Sequence, residues 1–265
     1  MQEIAIDRVS MVYADGDGGA VHALDEVSLA VAAGEIVTIL GPSGCGKTTL
    51  LNIIAGFLRP TAGEVRVGNL RVTGPGPDRG MVFQQGALFE WLSVARNVSF
   101  GPRMAGRPRA ETEATVAQLL ATVGLEGFGD KPVYQLSGGM QQRVALARCL
   151  ANDPAVILMD EPLGALDALT REKMQGLILR LWREFGKTIV FITHSVEEAL
   201  FLGERVVVMA PRPGRILREL RLPFAERGLV ADARAIKSSP EFVAAREEIL
   251  SAIWDMEEAL GETLP

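Results

Sequence analysis

Cysteine is almost missing from this chain, with only Cys45 and Cys149 among 265 residues. Two thiols cannot build a disulfide framework, and their scarcity fits a reducing compartment. Histidine is as rare, with only His22 and His194. Basic residues are outnumbered: 27 Lys and Arg face 33 Asp and Glu, a formal net charge of −6. That balance argues against a dedicated nucleic-acid binder, which usually carries a basic face. The opening residues, MQEIAIDRVS, lack the basic-then-apolar pattern of a signal peptide. No apolar run approaches the roughly eighteen residues needed to cross a bilayer, so work at a membrane would require another chain as anchor. Repeats, heptads and low-complexity segments are also missing.

What is present is 48% apolar and 23% charged, enough to bury a large core in one or two ordinary domains. Strand-like and helix-like segments alternate, the pattern of an α/β protein with a buried, largely parallel sheet. EIVTIL at 35–40 reads as a short buried strand, followed by a helix over 48–58. AVILMD at 155–160 reads as a second strand, set off by Pro154. KTIVFIT at 187–193 is a third, with Gly186 ending the helix before it. Ser195 and Glu198 have capping-box spacing for a helix opening at Val196. Segments 205–210 and 215–222 read as two later strands around a turn at Pro213 and Gly214. Residues 86–154 change character, with helix-like stretches at 109–123 and 139–151, and so predict an inserted helical subdomain. In the tail, Ser239 and Pro240 form an N-cap and first-turn pair. Phe242, Ala245, Ile249, Ile253, Met256 and Leu260 then follow at helical spacing, a face expected to pack on its own domain.

Gly41, Pro42, Ser43, Gly44, Cys45, Gly46, Lys47 and Thr48 match the P-loop pattern, with a strand before and a helix after. Glycines let consecutive N–H groups converge on phosphates. Lys47 is the point charge for the β and γ phosphates, and the Thr48 hydroxyl is a Mg²⁺ ligand. Cys45 has no evident chemistry of its own and reads as a small loop residue. Asp160 and Glu161 close the second strand, where Mg²⁺ would be held beside a P-loop. Asp160 fits that role, and Glu161 the polarisation of an attacking water. Alone, such a pair would more commonly cap a turn. His194 ends the third strand level with both; a lone histidine is more often structural, but this position points it at the γ phosphate. Gln84, after MVF, would report metal or water occupancy to the helical segment. A second glycine-rich stretch, LSGGMQQR at 136–143, offers Ser137 and the N–H groups of Gly138 and Gly139 at the start of a helix, again suited to a phosphate.

Taken together, these motifs resemble the ATP-binding subunits of ABC transporters, over nearly the whole chain and in the right order. The resemblance makes Tyr13 the aromatic that stacks on adenine, although the DGDGGA loop after it is longer than in many relatives. It makes LSGGM the signature, GALD at 164–167 the D-loop with Asp167, and His194 the switch histidine. It adds Thr49 to the nucleotide-binding loop and Gln84 to the metal and catalytic set beside Lys47, Glu161 and His194. The implied fold is an α/β, RecA-like P-loop NTPase core with an antiparallel β portion, an inserted helical subdomain and a C-terminal helix. As one domain over 1–265, it divides into a core (1–85 and 155–225), a helical subdomain with the signature (86–154) and a helical tail (226–265). In such proteins the signature of one subunit faces the P-loop of a second. The resemblance therefore implies ATP and Mg²⁺ as ligands and a head-to-tail homodimer. It also implies integral permease subunits, a solute-binding protein reached through them, and a peripheral place on the cytoplasmic face of a bacterial inner membrane. Met140 departs from the usual Gln of the signature; the phosphate donors remain, so hydrolysis is expected to survive. GPGPDRGMVFQ (74–84), LFEWLSVARNVSFG (88–101), DEPLGALDALTREKMQ (160–175) and AIKSSPEFVAAREEIL (235–250) resemble the nitrate, sulfonate and taurine import branch, the last the taurine importers most. Residues 88–100 match where relatives receive a short permease helix, with Phe89 and Trp91 as apolar contacts or as part of their own core.

Overall fold

The computed structural model describes residues 1–14, 19–84 and 87–261, except for the side chains at 257 and 259–261. Most of the DGDGGA loop and the side chain of Leu260 therefore lie outside the described residues. The strands are β1 (Ile4–Ala14), β2 (Ala20–Val31), β3 (Ile36–Leu40), β4 (Ala62–Val67), β5 (Leu70–Arg71), β6 (Arg79–Val82), β7 (Val156–Asp160), β8 (Thr188–Thr193), β9 (Arg205–Ala210) and β10 (Arg215–Arg221). The helices are α1 (Lys47–Ala55), α2 (Val94–Val98), α3 (Phe100–Met104), α4 (Arg109–Thr122), α5 (Gly138–Leu150), α6 (Ala168–Phe185), α7 (Val196–Leu202), α8 (Phe224–Arg227), α9 (Ala233–Lys237) and α10 (Pro240–Gly261).

Two sheets form. An antiparallel one has the order β2-β1-β4-β5; the central one runs β10-β9-β3-β8-β7-β6, parallel from β9 to β6 with β10 antiparallel at its edge. The central strands read as continuous apolar runs because both faces are covered. Ile36 and Leu40 of β3, Ile157 and Met159 of β7, and Ile189 and Phe191 of β8 face a core shared with α5, α6 and α7. Their alternating neighbours, Val37, Ile39, Val156, Leu158, Val190 and Ile192, face α1 and the antiparallel sheet. Each such fully buried aliphatic side chain contributes about 1.5–3 kcal/mol. The described part of 87–154 contains α2 to α5 and no strand, and Val144 and Leu146 of α5 join the first of these cores.

One local reading changes and another holds. The helix expected over 48–58 stops at Ala55, because Gly56 turns left-handed (φ 82°) and Phe57 N–H returns to the Asn52 carbonyl (2.9 Å). In the tail, Phe242, Ala245 and Ile249 are buried as the spacing predicts, with α10 packed on α7 and Phe242 edge-on to Phe224.

One buried charge ties the two sheets together. The Arg205 guanidinium donates to both Glu35 oxygens (2.8 Å each), to Glu219 (2.7 Å) and to the Ala30 carbonyl of β2 (2.5 Å). Arg205 and Glu35 are each more than nine-tenths buried, so removing one partner strands the other in the interior. Arg205→Ala should lower the unfolding free energy by about 3–5 kcal/mol, read as a lower midpoint in urea denaturation.

Candidate nucleotide site

Leu40 pairs with Thr193 across β3 and β8, and Ile192 with Asp160 across β8 and β7. Three carboxyl ends therefore lie side by side, which is where ligands bind in open α/β sheets. The loop 41–48 leaves β3, Asp160 and Glu161 leave β7, and His194 leaves β8.

In the loop, Gly46 has φ 90°, and a Cβ there would lie 2.6 Å from Leu24 Cδ2 and 2.7 Å from the Ala23 carbonyl. Only glycine fits. Ser43, Gly44 and Thr48 are exposed, whereas Cys45 turns inward and is fully buried. Burial pushes its thiol above the usual range, against the opposing influence of the nearby Lys47. Burial likewise pushes Cys149 up to about 12, so neither cysteine offers a thiolate nucleophile. The Lys47 ammonium is held within the loop, donating to the carbonyls of Gly41 (2.7 Å) and Pro42 (2.9 Å). Thr49 follows in the first turn of α1, partly buried.

Thr48 Oγ1 donates to Asp160 Oδ1 at 3.2 Å. Burial raises the Asp160 pKa and the adjacent Glu161 charge adds to this, while the Thr48 hydrogen bond and Lys47 oppose it. Hydroxyl and carboxylate are both hard oxygen donors, suited to a small divalent cation that also takes phosphate oxygens. Among the described residues no three His, Cys, Asp or Glu side chains cluster to hold a metal unaided. Glu161 has φ 44°, donates its N–H to the Ile192 carbonyl (3.0 Å) and holds its Oε2 2.9 Å from His194 Nδ1. Gln84 lies across the turn after Glu161: a Cβ on Gly164 would sit 3.1 Å from Gln84 Nε2. Tyr13 is about one-third exposed and pairs with Val21 on the ribbon whose Ala23 and Leu24 press on Gly46.

The second glycine stretch has a different neighbourhood. Ser137 caps α5, accepting from Met140 N–H at 3.4 Å, so Gly138 and Gly139 open the helix. A Cβ on Gly139 would meet Thr170 Cγ2 at 2.5 Å, which packs α5 closely on the start of α6. Asp167 caps α6 through Thr170, whose hydroxyl and N–H hold its carboxyl below the usual range. The Met140 side chain packs on the apolar core, while the Gln141 amide donates to the Val133 carbonyl (3.0 Å). The residues at the β3, β7 and β8 ends thus form one group, and those around Ser137 another.

Gln142 and Arg171 escaped the sequence reading, and Glu198 was read there only as half of a capping box. Gln142 Nε2 donates to the Phe83 carbonyl (3.2 Å), linking α5 to the approach to Gln84. Glu198 and Arg171 meet behind His194 at 3.7 Å. Ser195 caps α7 as expected, but the Glu198 carboxylate does not complete the capping box. Thr193 Oγ1 accepts from Ser195 N–H (3.0 Å) and donates to Glu198 (2.6 Å) instead. A threonine two residues before the cap was the available signal. Phe89 packs against Phe100 (centroids 4.5 Å apart) and under Arg148, whereas Trp91 remains 79% exposed.

Residues 24–164 match the family model described as ABC transporter. The taurine import ATP-binding protein TauB of Roseobacter denitrificans is 65% identical over 260 residues, covering 98% of this chain and 97% of that protein. The protein of the same name from Jannaschia sp. is 64% identical over the same coverage. Among solved structures, the dimeric post-hydrolysis ATP-binding cassette MJ0796 bound to ADP and Pi aligns with a TM-score of 0.72. It is 38% identical, and the alignment covers 83% of this chain and 98% of that one.

Proposed function

Since the chain belongs to the ABC transporter family, we propose that it is the ATP-hydrolysing subunit of an importer for taurine. The observation that carries the solute is the 65% identity, over 98% of the chain, to a protein named for taurine import. What carries the chemistry is the alignment of the three strand ends, which brings Glu161 and His194 within 2.9 Å beside the P-loop.

In this reading the N–H groups of 41–49 and the Lys47 ammonium bind the β and γ phosphates, and Tyr13 stacks on adenine. Thr48 and Asp160, with Gln84, would hold Mg²⁺; bound there, the ion neutralises charge on the phosphate oxygens. Glu161 accepts a proton from water as its oxygen attacks the γ phosphorus, and the bond to the ADP oxygen breaks to release ADP and phosphate. His194 holds the Glu161 carboxylate and faces the same phosphate. Ser137, Gly138 and Gly139 serve the nucleotide of a second copy, and Asp167 lines the same junction, in a two-fold head-to-tail homodimer. Loss of the γ phosphate removes the shared ligand and loosens that dimer.

The whole chain then acts as one ATPase domain, with 86–154 as the permease-facing helical part. A cavity of about 970 Å³ opens there, lined in part by Arg96, Arg103, Arg107, Thr112 and Val116. Exposed Trp91 supplies apolar surface nearby in sequence. Among the described residues no helix is long and apolar enough to cross a membrane. Attachment at the cytoplasmic face of the inner membrane accordingly goes through permease subunits, and a solute-binding protein delivers taurine to them from the far side. Nucleic acid has no part in this reading.

Glu161→Gln should retain ATP binding, lower hydrolysis by about 10²–10⁴-fold and accumulate an ATP-bound dimer in size exclusion; hydrolysis at the normal rate would remove Glu161 as the base. Met140→Gln should change kcat by less than about threefold, under 1 kcal/mol of barrier, because the Ser137 cap does not involve the Met140 side chain. With the cognate permease and binding protein in proteoliposomes, labelled taurine should accumulate in an ATP-dependent manner in preference to nitrate. Nitrate uptake without taurine uptake would reassign the solute.

A further inference from the structure

Behind the Glu161–His194 pair lies a closed ring of polar contacts. Glu198 is 4% exposed, and a carboxylate so placed is costly unless paired and hydrogen-bonded. Its helix does not require it there, since Ser195 already caps α7. The ring runs from Glu198 Oε2, which accepts from Thr193 Oγ1 (2.6 Å), to Ser195 N–H, which donates to the same hydroxyl (3.0 Å). These two residues bracket His194. In the other direction, Glu198 Oε1 faces Arg171 Nε at 3.7 Å. Arg171 is the fork of the ring: Nη2 donates to the Leu166 carbonyl (2.8 Å) and Nε to the Leu163 carbonyl (3.4 Å). Those carbonyls belong to the turn after Glu161, and Gly164 N–H closes the circuit on the Glu161 carbonyl (3.1 Å). Glu161, Gly164, Arg171, Thr193, His194, Ser195 and Glu198 line one small shared cavity.

We propose that Glu198 and Arg171 are positioning residues for hydrolysis, fixing the backbone on both sides of His194 to the 162–167 turn so that imidazole and Glu161 carboxylate keep their spacing. The role rests on the reading of Glu161 and His194 as the hydrolytic pair. Neither residue reaches the P-loop, so both act on the chemical step rather than on ATP binding. The planar guanidinium holds donors at a fixed spacing toward Leu163, Leu166 and Glu198, a rigid fork that the point-like lysine ammonium does not reproduce. The same guanidinium sits one turn into α6, the helix capped by Asp167, so the ring also joins His194 to the segment expected at the dimer junction.

Steady-state hydrolysis by the purified full chain, with ATP binding and melting temperature measured in parallel, tests this. Glu198→Ala and Arg171→Ala should each lower kcat about tenfold or more with KM for ATP changed less than about twofold, the pattern of misplaced catalytic groups. The double variant should lose no more than the worse single one, because the two act as a unit. Glu198→Gln keeps an acceptor for Thr193 without the charge, and Arg171→Lys keeps the charge without the fork; each should lower kcat by about threefold or more. These milder variants decide the matter if an alanine variant fails to fold. Normal kcat in both of them, a kcat loss matched by weaker ATP binding, or additive losses in the double variant would each overturn the proposal. Glu161→Gln separates the two levels: full hydrolysis there rejects the reading of the site itself. Its inactivity beside normal Glu198 and Arg171 variants rejects only the positioning role.

Discussion

Leu40 opposite Thr193, and Ile192 opposite Asp160, set three parallel strands to run out at one level. That register is the constraint from which the site follows. Each of the three strands is buried on both faces, so a slip by one residue would exchange its two core faces and break both apolar cores at once. The register is held by two cores packed from opposite sides together with the hydrogen bonds of the parallel ladders. Once the ends are level, a glycine loop, an acidic pair and a histidine far apart in sequence become neighbours. The chemistry therefore depends on packing that lies outside the site.

The charges inside this frame are few and each is answered locally. Lys47 is held by loop carbonyls, Asp160 by the Thr48 hydroxyl, Glu161 by His194, and Arg205 by two carboxylates and a carbonyl. Asp160 is held least comfortably, since burial and the neighbouring carboxylate both favour its protonated form. In the proposed reading, a bound divalent cation would reverse that preference. Ser137 and its glycines lie outside this group, packed instead on Thr170 and Leu166. That separation makes sense if they serve a second copy of the chain.

Much of the fold was legible because its elements announce themselves locally. EIVTIL, AVILMD and KTIVFIT each carry an apolar run because both faces of the central sheet are covered, and the P-loop falls where strand gives way to helix. The tail spacing named Phe242, Ala245 and Ile249 as a buried face, which they are. The misses were of one kind. The helix after Lys47 reads on to Leu58 by composition, but a left-handed Gly56 ends it early. Glu198 reads as the second half of a capping box, but Thr193 takes its place at the Ser195 N–H. In each case the deciding partner was one conformational choice or one hydroxyl among several compatible with the pattern.

The order of motifs by itself determined the family resemblance, the α/β class and the residue types at each strand end, because short-range spacing dictates loop shape, helix starts and strand burial. Even the oddity at Met140 was visible there. Only the tertiary structure decided which of those residues meet: that Glu161 reaches His194, that Thr48 reaches Asp160, and that Arg171 and Glu198 close a ring behind them. Such contacts join positions 33 or 112 residues apart and fix no local periodicity, so they exist only once the strands are in register.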